Sequence, residues 1–395
     1  MRRSHALIYV ALYLLAWAAR LALMGEHRLH PDEALYGQWG LLIFSGRDPW
    51  LVSVPAYKPP LLPYVLSGML ALLGCHPYRP LPIGAAEWAV RLPGLVSGMV
   101  TVGLTGRLAR QLYRSEAAGR AAALAVALSP FAILFSATGF LDPPMVALGL
   151  GGCVAALAGR PGWAGLLVGL SCAAKQTGLV WLPLTFFFVF ARHHRNPKRP
   201  SASCLLHHLS FVIFHSIIVV GLVGVWDAVR VAQGTQSFWQ TGVAGYGGLR
   251  LIWPVEVAPR LRAWAAWLPH LLGWPLLGVA VVGAVGLVIR GVRRRDWPAL
   301  FDVALVGFCL LYVLVHWLWA FPVWDRYLLP LVPVMGVLTG RVVSWLLPTA
   351  ALDRRHDLAL AADERSRGYD RCAHNRWAKM APVVAGLLTH RSARS

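Results

Sequence analysis

Two adjacent carboxylates, Asp32 and Glu33, stand in the stretch His30-Pro31-Asp32-Glu33-Ala34-Leu35-Tyr36, directly after the first long apolar run. Two lysines occupy places equally poor in charge: Lys58 ahead of Pro59-Pro60, and Lys175 in Lys175-Gln176-Thr177-Gly178. A third acid, Asp142, precedes Pro143-Pro144, and Arg91 and Arg326 lie near the ends of other apolar runs. The chain is 57% hydrophobic and only 14% charged. Ionisable groups beside hydrocarbon are costly and usually face a cavity or a partner. Acids that can take a proton from a hydroxyl, together with cations that can hold a phosphate, suit a reaction on an anionic, membrane-held substrate.

Each of these residues also has a plain structural use. Asp32 and Glu33 sit where a helix dipole favours acids, and either could cap a helix; Asp142 could do the same for the helix after it. Lys58 could snorkel to the headgroups, and Arg91 and Arg326 could be interface anchors. Lys175 resists this explanation, because an apolar hairpin leaves little room for snorkelling. Tyr36 shares the Asp32 stretch and is counted with the substrate-binding candidates. His30 is close enough to Asp32 to be a metal ligand, so a divalent ion is left open, but no ligand set is assigned. Trp239, Trp253, Trp264 and Trp267 are expected as interface anchors, with a minority free to stack on a sugar or an isoprenoid.

The elements that must hold these groups are apolar helices. A mean hydropathy of +0.57 and apolar runs separated by short basic loops describe an all-α polytopic membrane protein. The formal charge of +20 would suggest nucleic acid in a soluble chain. Here Lys and Arg cluster in loops between apolar runs, where the positive-inside rule and anionic lipid account for them, so no nucleic-acid partner is expected. The six cysteines show no metal-type pairing and read as small core residues.

The basic start, Met1-Arg2-Arg3, places the N-terminus in the cytoplasm, with an uncleaved first span over about residues 6–24. Asp32 then emerges on the far side. Pro31 opens a short helix, with Leu35, Trp39, Leu42 and Ile43 on one apolar face, that should lie flat on the membrane. A second short helix, from Tyr57 to about Leu73, is also read as a surface helix. That choice starts span two near Trp88 and puts Arg107, Arg110, Arg114 and Arg120 in the cytoplasm, as the charge rule asks. Spans three and four flank Asp142, and a short broken hairpin carries Lys175 in the outer leaflet. With the two hairpin arms as spans five and six, four further segments bring the expectation to about ten spans plus two surface helices. The first outer loop covers 25–87, and a large Gly- and Trp-rich outer loop covers 227–267. The transmembrane domain then occupies 1–347, and 348–395 is a polar, Arg-rich cytoplasmic tail.

In this order and on one side, these motifs resemble those of GT-C fold glycosyltransferases of the protein O-mannosyltransferase and aminoarabinose transferase type. The resemblance rests on Asp32-Glu33 in the first outer loop, Lys58-Pro59-Pro60, Asp142-Pro143, Lys175 in the hairpin, and Arg326-Tyr327-Leu328-Leu329-Pro330, and it covers roughly 1–347. It implies Asp32 as catalytic base with Glu33 as companion, Lys58 and Lys175 as ligands of the donor phosphate, and Asp142 as a second acid ordering the site. It also implies transfer, with inversion, from a polyprenyl-phosphate-linked sugar to a lipid, glycan or protein acceptor at the non-cytoplasmic face of the plasma membrane. Leu35 and Tyr57 depart from the aminoarabinose pattern, which has an arginine and an acid there. A transporter or flippase, which would show similar halves and mid-membrane charges, and a non-catalytic relative are the competing readings.

Overall fold

Proline, glycine and short polar stretches cut the apolar sequence into helices, and each of the ten expected spans coincides with one helix or one bent pair. The computed structural model describes residues 2–25, 27–76, 83–194, 201–245, 250–294 and 296–346. The expected tail at 348–395 and the basic loop at 195–200 lie outside the described residues. Helix α1 is Arg2–Leu21, α2 is Pro31–Phe44, α3 is Leu61–Leu72 and α4 is Ile83–Tyr113. Next come α5 (Glu116–Ala127), α6 (Pro130–Ser136), α7 (Asp142–Leu157), α8 (Pro161–Ala174) and α9 (Trp181–His194). Helix α10 (Ser201–Ser216) widens into π-type turns and continues as α11 (Val225–Ala232). The remainder is α12 (Phe238–Gly245), α13 (Pro254–Leu272), α14 (Trp274–Arg294), α15 (Trp297–Leu318) and α16 (Leu331–Leu346).

Ile83–Tyr113, His208–Ala232 and Trp297–Leu318 are long and apolar enough to cross a membrane unbroken. Two bent pairs pass the same test together, α5 with α6 at 59° and α13 with the first part of α14 at 105°. The sharper bend falls on Gly273, whose φ of +78° is left-handed backbone that favours glycine. Helices α1, α3, α7, α8, α9 and α16 supply the shorter apolar segments. Helix α7 is buried around nearly its whole circumference, packed by α4, α8 and α9. Residues 1–343 form one compact unit that contains every site residue named above; of the second unit, from Ser344, only 344–346 are described.

Two expectations change. The stretch 227–267 is largely helical, because α13 starts at Pro254, well ahead of the expected span. A proline at the first position and Glu256, whose Oε2 accepts the Trp253 N–H at 2.7 Å, provide that start. The apolar face of α2 is turned toward the protein. It packs on α3 and buries Trp39, whose ring meets those of Tyr36 and Tyr57 at centroid distances of 5.6 Å.

Candidate active site

The two acids at the start of α2 do different things. His30 is the N-cap: its Nδ1 accepts the Asp32 N–H at 3.2 Å, and Glu33 reaches back so that its Oε2 accepts the His30 N–H at 2.7 Å. This is a reciprocal cap on the first turn. The other Glu33 oxygen accepts the Gly139 N–H at 2.6 Å and lies 3.6 Å from Arg91 Nε. Arg91 in turn donates Nη2 to the His27 carbonyl at 2.6 Å. Glu33 is 2% exposed with both oxygens engaged, so it ties α2 to α4 and to the segment before α7. Asp32 caps nothing. Its Oδ2 pairs with Arg326 Nη2 at 2.7 Å, and its side chain stays 24% exposed.

Asp142 opens α7, yet the cap position is Leu141 and no side chain caps this helix. Its carboxylate turns instead to Lys175 Nζ at 2.5 Å, both groups being nearly fully buried. Lys175 stands in extended backbone where α8 ends, its N–H on Ser171 O at 3.0 Å and its carbonyl accepting the Gly178 N–H at 2.8 Å. A Cβ at Gly178 would run into the backbone of Ser171 and Cys172, so the hairpin closes this tightly only with glycine. The ammonium also lies 4.4 Å above the Tyr327 ring, and the Arg326 guanidinium lies 4.5 Å above Phe140.

Lys58 completes the cluster. It is buried, with Nζ 4.9 Å over the Tyr57 ring, and Gln176 Nε2 donates to the Tyr57 carbonyl at 2.7 Å, fastening this loop to the Lys175 hairpin. Burial first, then the positive charges of Lys175 and Arg326, push the Lys58 amine down to about 7, against the pull of Asp142 and Asp32. The five groups therefore share one electrostatic environment. Three cations face two carboxylates, an excess that suits an added anion.

Two spaces border the cluster. An apolar groove of about 1010 Å³ runs between α3, α4, α7 and α8, and its lining includes Leu61 and Leu62, Pro144 two residues after Asp142, and Ala174 next to Lys175. A separate cavity of about 530 Å³ is lined by Arg91, Phe140, Trp267, Trp324 and Arg326. With this geometry in place, likeness to known proteins can be weighed. Residues 57–220 match the dolichyl-phosphate-mannose-protein mannosyltransferase family. The structure matches ArnT from Cupriavidus metallidurans bound to undecaprenyl phosphate, with a TM-score of 0.60 and 18% identity over 91% of this chain and 63% of that one. The chain therefore has a GT-C type of fold. The archaeal oligosaccharyltransferase AglB from Archaeoglobus fulgidus, in complex with an inhibitory peptide and a dolichol-phosphate, matches with a TM-score of 0.57 and 13% identity, over 91% of this chain and 52% of that one. None of the curated proteins matches the sequence. The chain spans less than two thirds of the length of the solved structures it matches.

Within this GT-C frame the structure brings together Asp32, Lys58, Asp142, Lys175 and Arg326. Glu33 and Arg91 form a bracing pair beside them, and Tyr36 is buried against Trp39. Sequence reasoning missed the rings under the cations, Phe140 and Tyr327, and the tether Gln176, although each adjoins or nearly adjoins a residue it had singled out. It also missed Arg20. That side chain is fully buried and donates to the carbonyls of Val126 and Ala127 at 3.2 Å and to Ser136 Oγ at 3.3 Å, holding the break between α5 and α6. A lone arginine inside an apolar run was the available signal. Among the described residues no three His, Cys, Asp or Glu side chains converge as a metal site, and one oxygen of Asp32 pairs with Arg326.

Proposed function

We propose that this GT-C protein is a glycosyltransferase that moves a sugar, with inversion, from a polyprenyl-phosphate-linked donor to an acceptor hydroxyl on the non-cytoplasmic side of the plasma membrane. One observation carries this reading: the acid–cation cluster borders an apolar groove of about 1010 Å³, which Ala174, next to Lys175, and Pro144, two residues after Asp142, help to line. A prenyl tail fits the groove, and the phosphate at its head meets Lys58, Lys175 and Arg326. The solved ArnT with undecaprenyl phosphate and AglB with dolichol-phosphate support a lipid phosphate as ligand of this fold.

In this reaction Asp32 takes the proton from the acceptor hydroxyl, whose oxygen attacks the anomeric carbon as the bond to the phosphate oxygen breaks. Negative charge grows on the departing polyprenyl phosphate, and the cations stabilise it more in the transition state than in the ground state. Asp142 holds the Lys175 ammonium in place. Glu33 is a positioning residue, since both its oxygens are already engaged. The acceptor approaches through the cavity of about 530 Å³ that ends at Arg326, and so from a different space than the donor tail. Assays of transfer from a polyprenyl-phospho-hexose test the assignment. Asp32→Asn is expected to lower kcat by about 100-fold or more, as loss of a general base does, and Lys175→Ala to impair both kcat and KM. Wild-type activity in both variants would sink it.

A further inference from the structure

The groove does not end only at the acid–cation cluster. Its lining descends α4 from Leu92 to Arg107 and reaches Arg160 and Trp163 at the join of α7 and α8. Arg192, at the end of α9, approaches the same join, its Nε 3.6 Å from the place a Cβ on Gly159 would occupy. Gly159 takes a left-handed φ of +76°, and this sharp turn carries Arg160 to the N-cap of α8. No side chain caps that helix start, which leaves its positive dipole end beside Arg160. Arg107, Arg160 and Arg192 have no ion-pair partner among the described residues. Trp163 is 60% exposed there, as expected of a ring at a membrane interface.

We infer that this far end of the groove binds the anionic headgroup of a bilayer phospholipid, with its acyl chains lying in the lower groove. Three guanidinium groups and an uncapped helix start ask for a phosphate, and the apolar walls above them ask for a hydrocarbon chain. The occupant is not the donor. Leu92 and Arg107 are about 22 Å apart along α4 at 1.5 Å per residue. That is most of the roughly 30 Å hydrocarbon thickness. A lipid with its single phosphate at Lys175 cannot also fill a phosphate site at Arg107. The second site lies in the opposite leaflet, where phospholipid headgroups are. This inference goes beyond the transfer reaction and does not require it.

Native mass spectrometry of the full chain in nanodiscs containing phosphatidylglycerol, phosphatidylcholine and undecaprenyl phosphate tests it. Phosphatidylglycerol should stay bound after the bulk lipid is stripped, and phosphatidylcholine should not. R107Q/R160Q should lower that retention about tenfold, R107K/R160K should keep most of it, and R120Q, which removes a charge outside the groove, should change nothing. Thermal unfolding of each variant confirms that it is folded, and the lysine pair keeps the test decisive if the glutamine pair is not. Equal retention of both phospholipids overturns the inference, as does retention unchanged in R107Q/R160Q. Loss of bound undecaprenyl phosphate, and not phosphatidylglycerol, in R107Q/R160Q overturns the assigned occupant.

Discussion

Lys58 is the residue whose behaviour the environment changes most usefully. Burial and two neighbouring cations hold its amine at about 7, so its proton is lost as pH rises through neutrality. A donor phosphate prefers the ammonium, and binding should therefore weaken on the alkaline side only. KM for the polyprenyl-phospho-sugar is expected to be flat below about pH 7 and to climb by several-fold toward pH 9, with kcat changing less. K58R should remove most of that slope, because a guanidinium stays charged throughout. Steady-state kinetics across pH in both proteins checks this, and a slope that survives K58R assigns the titration elsewhere. The sequence marks Lys58 by its scarcity in charge, but the lowered value depends on Lys175 and Arg326, far away along the chain. The same limit applies at Asp32 and Glu33. Neighbours on a helix point about 100° apart, and only the fold shows that Glu33 turns inward to cap and brace while Asp32 turns to Arg326.

At the scale of elements, breaks and turns hold the site. Glu33 joins three segments through the His30 and Gly139 N–H groups and Arg91. E33Q keeps the shape but puts an NH2 donor where one carboxylate oxygen accepted, so the His30 or the Gly139 N–H loses its partner and Arg91 loses its counter-charge. It is expected to cost about 1–3 kcal/mol, seen as a fall of several degrees in the thermal midpoint, and to reduce kcat less than D32N does. An E33Q enzyme as stable as wild type but as inactive as D32N would give Glu33 a chemical role instead. Gly178 makes the complementary case for the Lys175 hairpin. G178V should push the turn off Ser171, displace Lys175 from Asp142, and raise donor KM while leaving the protein embedded in the membrane. The helix start at Pro31 was readable because proline acts locally. The 105° bend at Gly273 and the helical content of 227–267 were not, since both depend on where α13 packs.

Across the whole molecule, the charges divide along the helix axes. Asp32, Lys58, Asp142, Lys175 and Arg326 gather at one end, while Arg107, Arg160 and Arg192 stand at the other end of the groove. This one-sidedness was legible in the sequence, because loop charges alternate with apolar runs whatever the packing between helices. What sequence could not supply is that helices as short as α7 and α8 are held by packing on each other, with α7 also on α4 and α9 and α8 on α10. The proposed orientation, with the cluster outside the cytoplasm, is the one the positive-inside rule asks for. Single cysteines placed in a background free of the six native ones report that orientation. A34C, exposed on α2 two residues from Asp32, and G245C, exposed at the end of α12, should react with a membrane-impermeant maleimide added to intact cells. P197C should react only after the membrane is opened. A reversed pattern would place the acid–cation cluster in the cytoplasm, and the proposed transfer to an external acceptor would then fail even with every site residue in place.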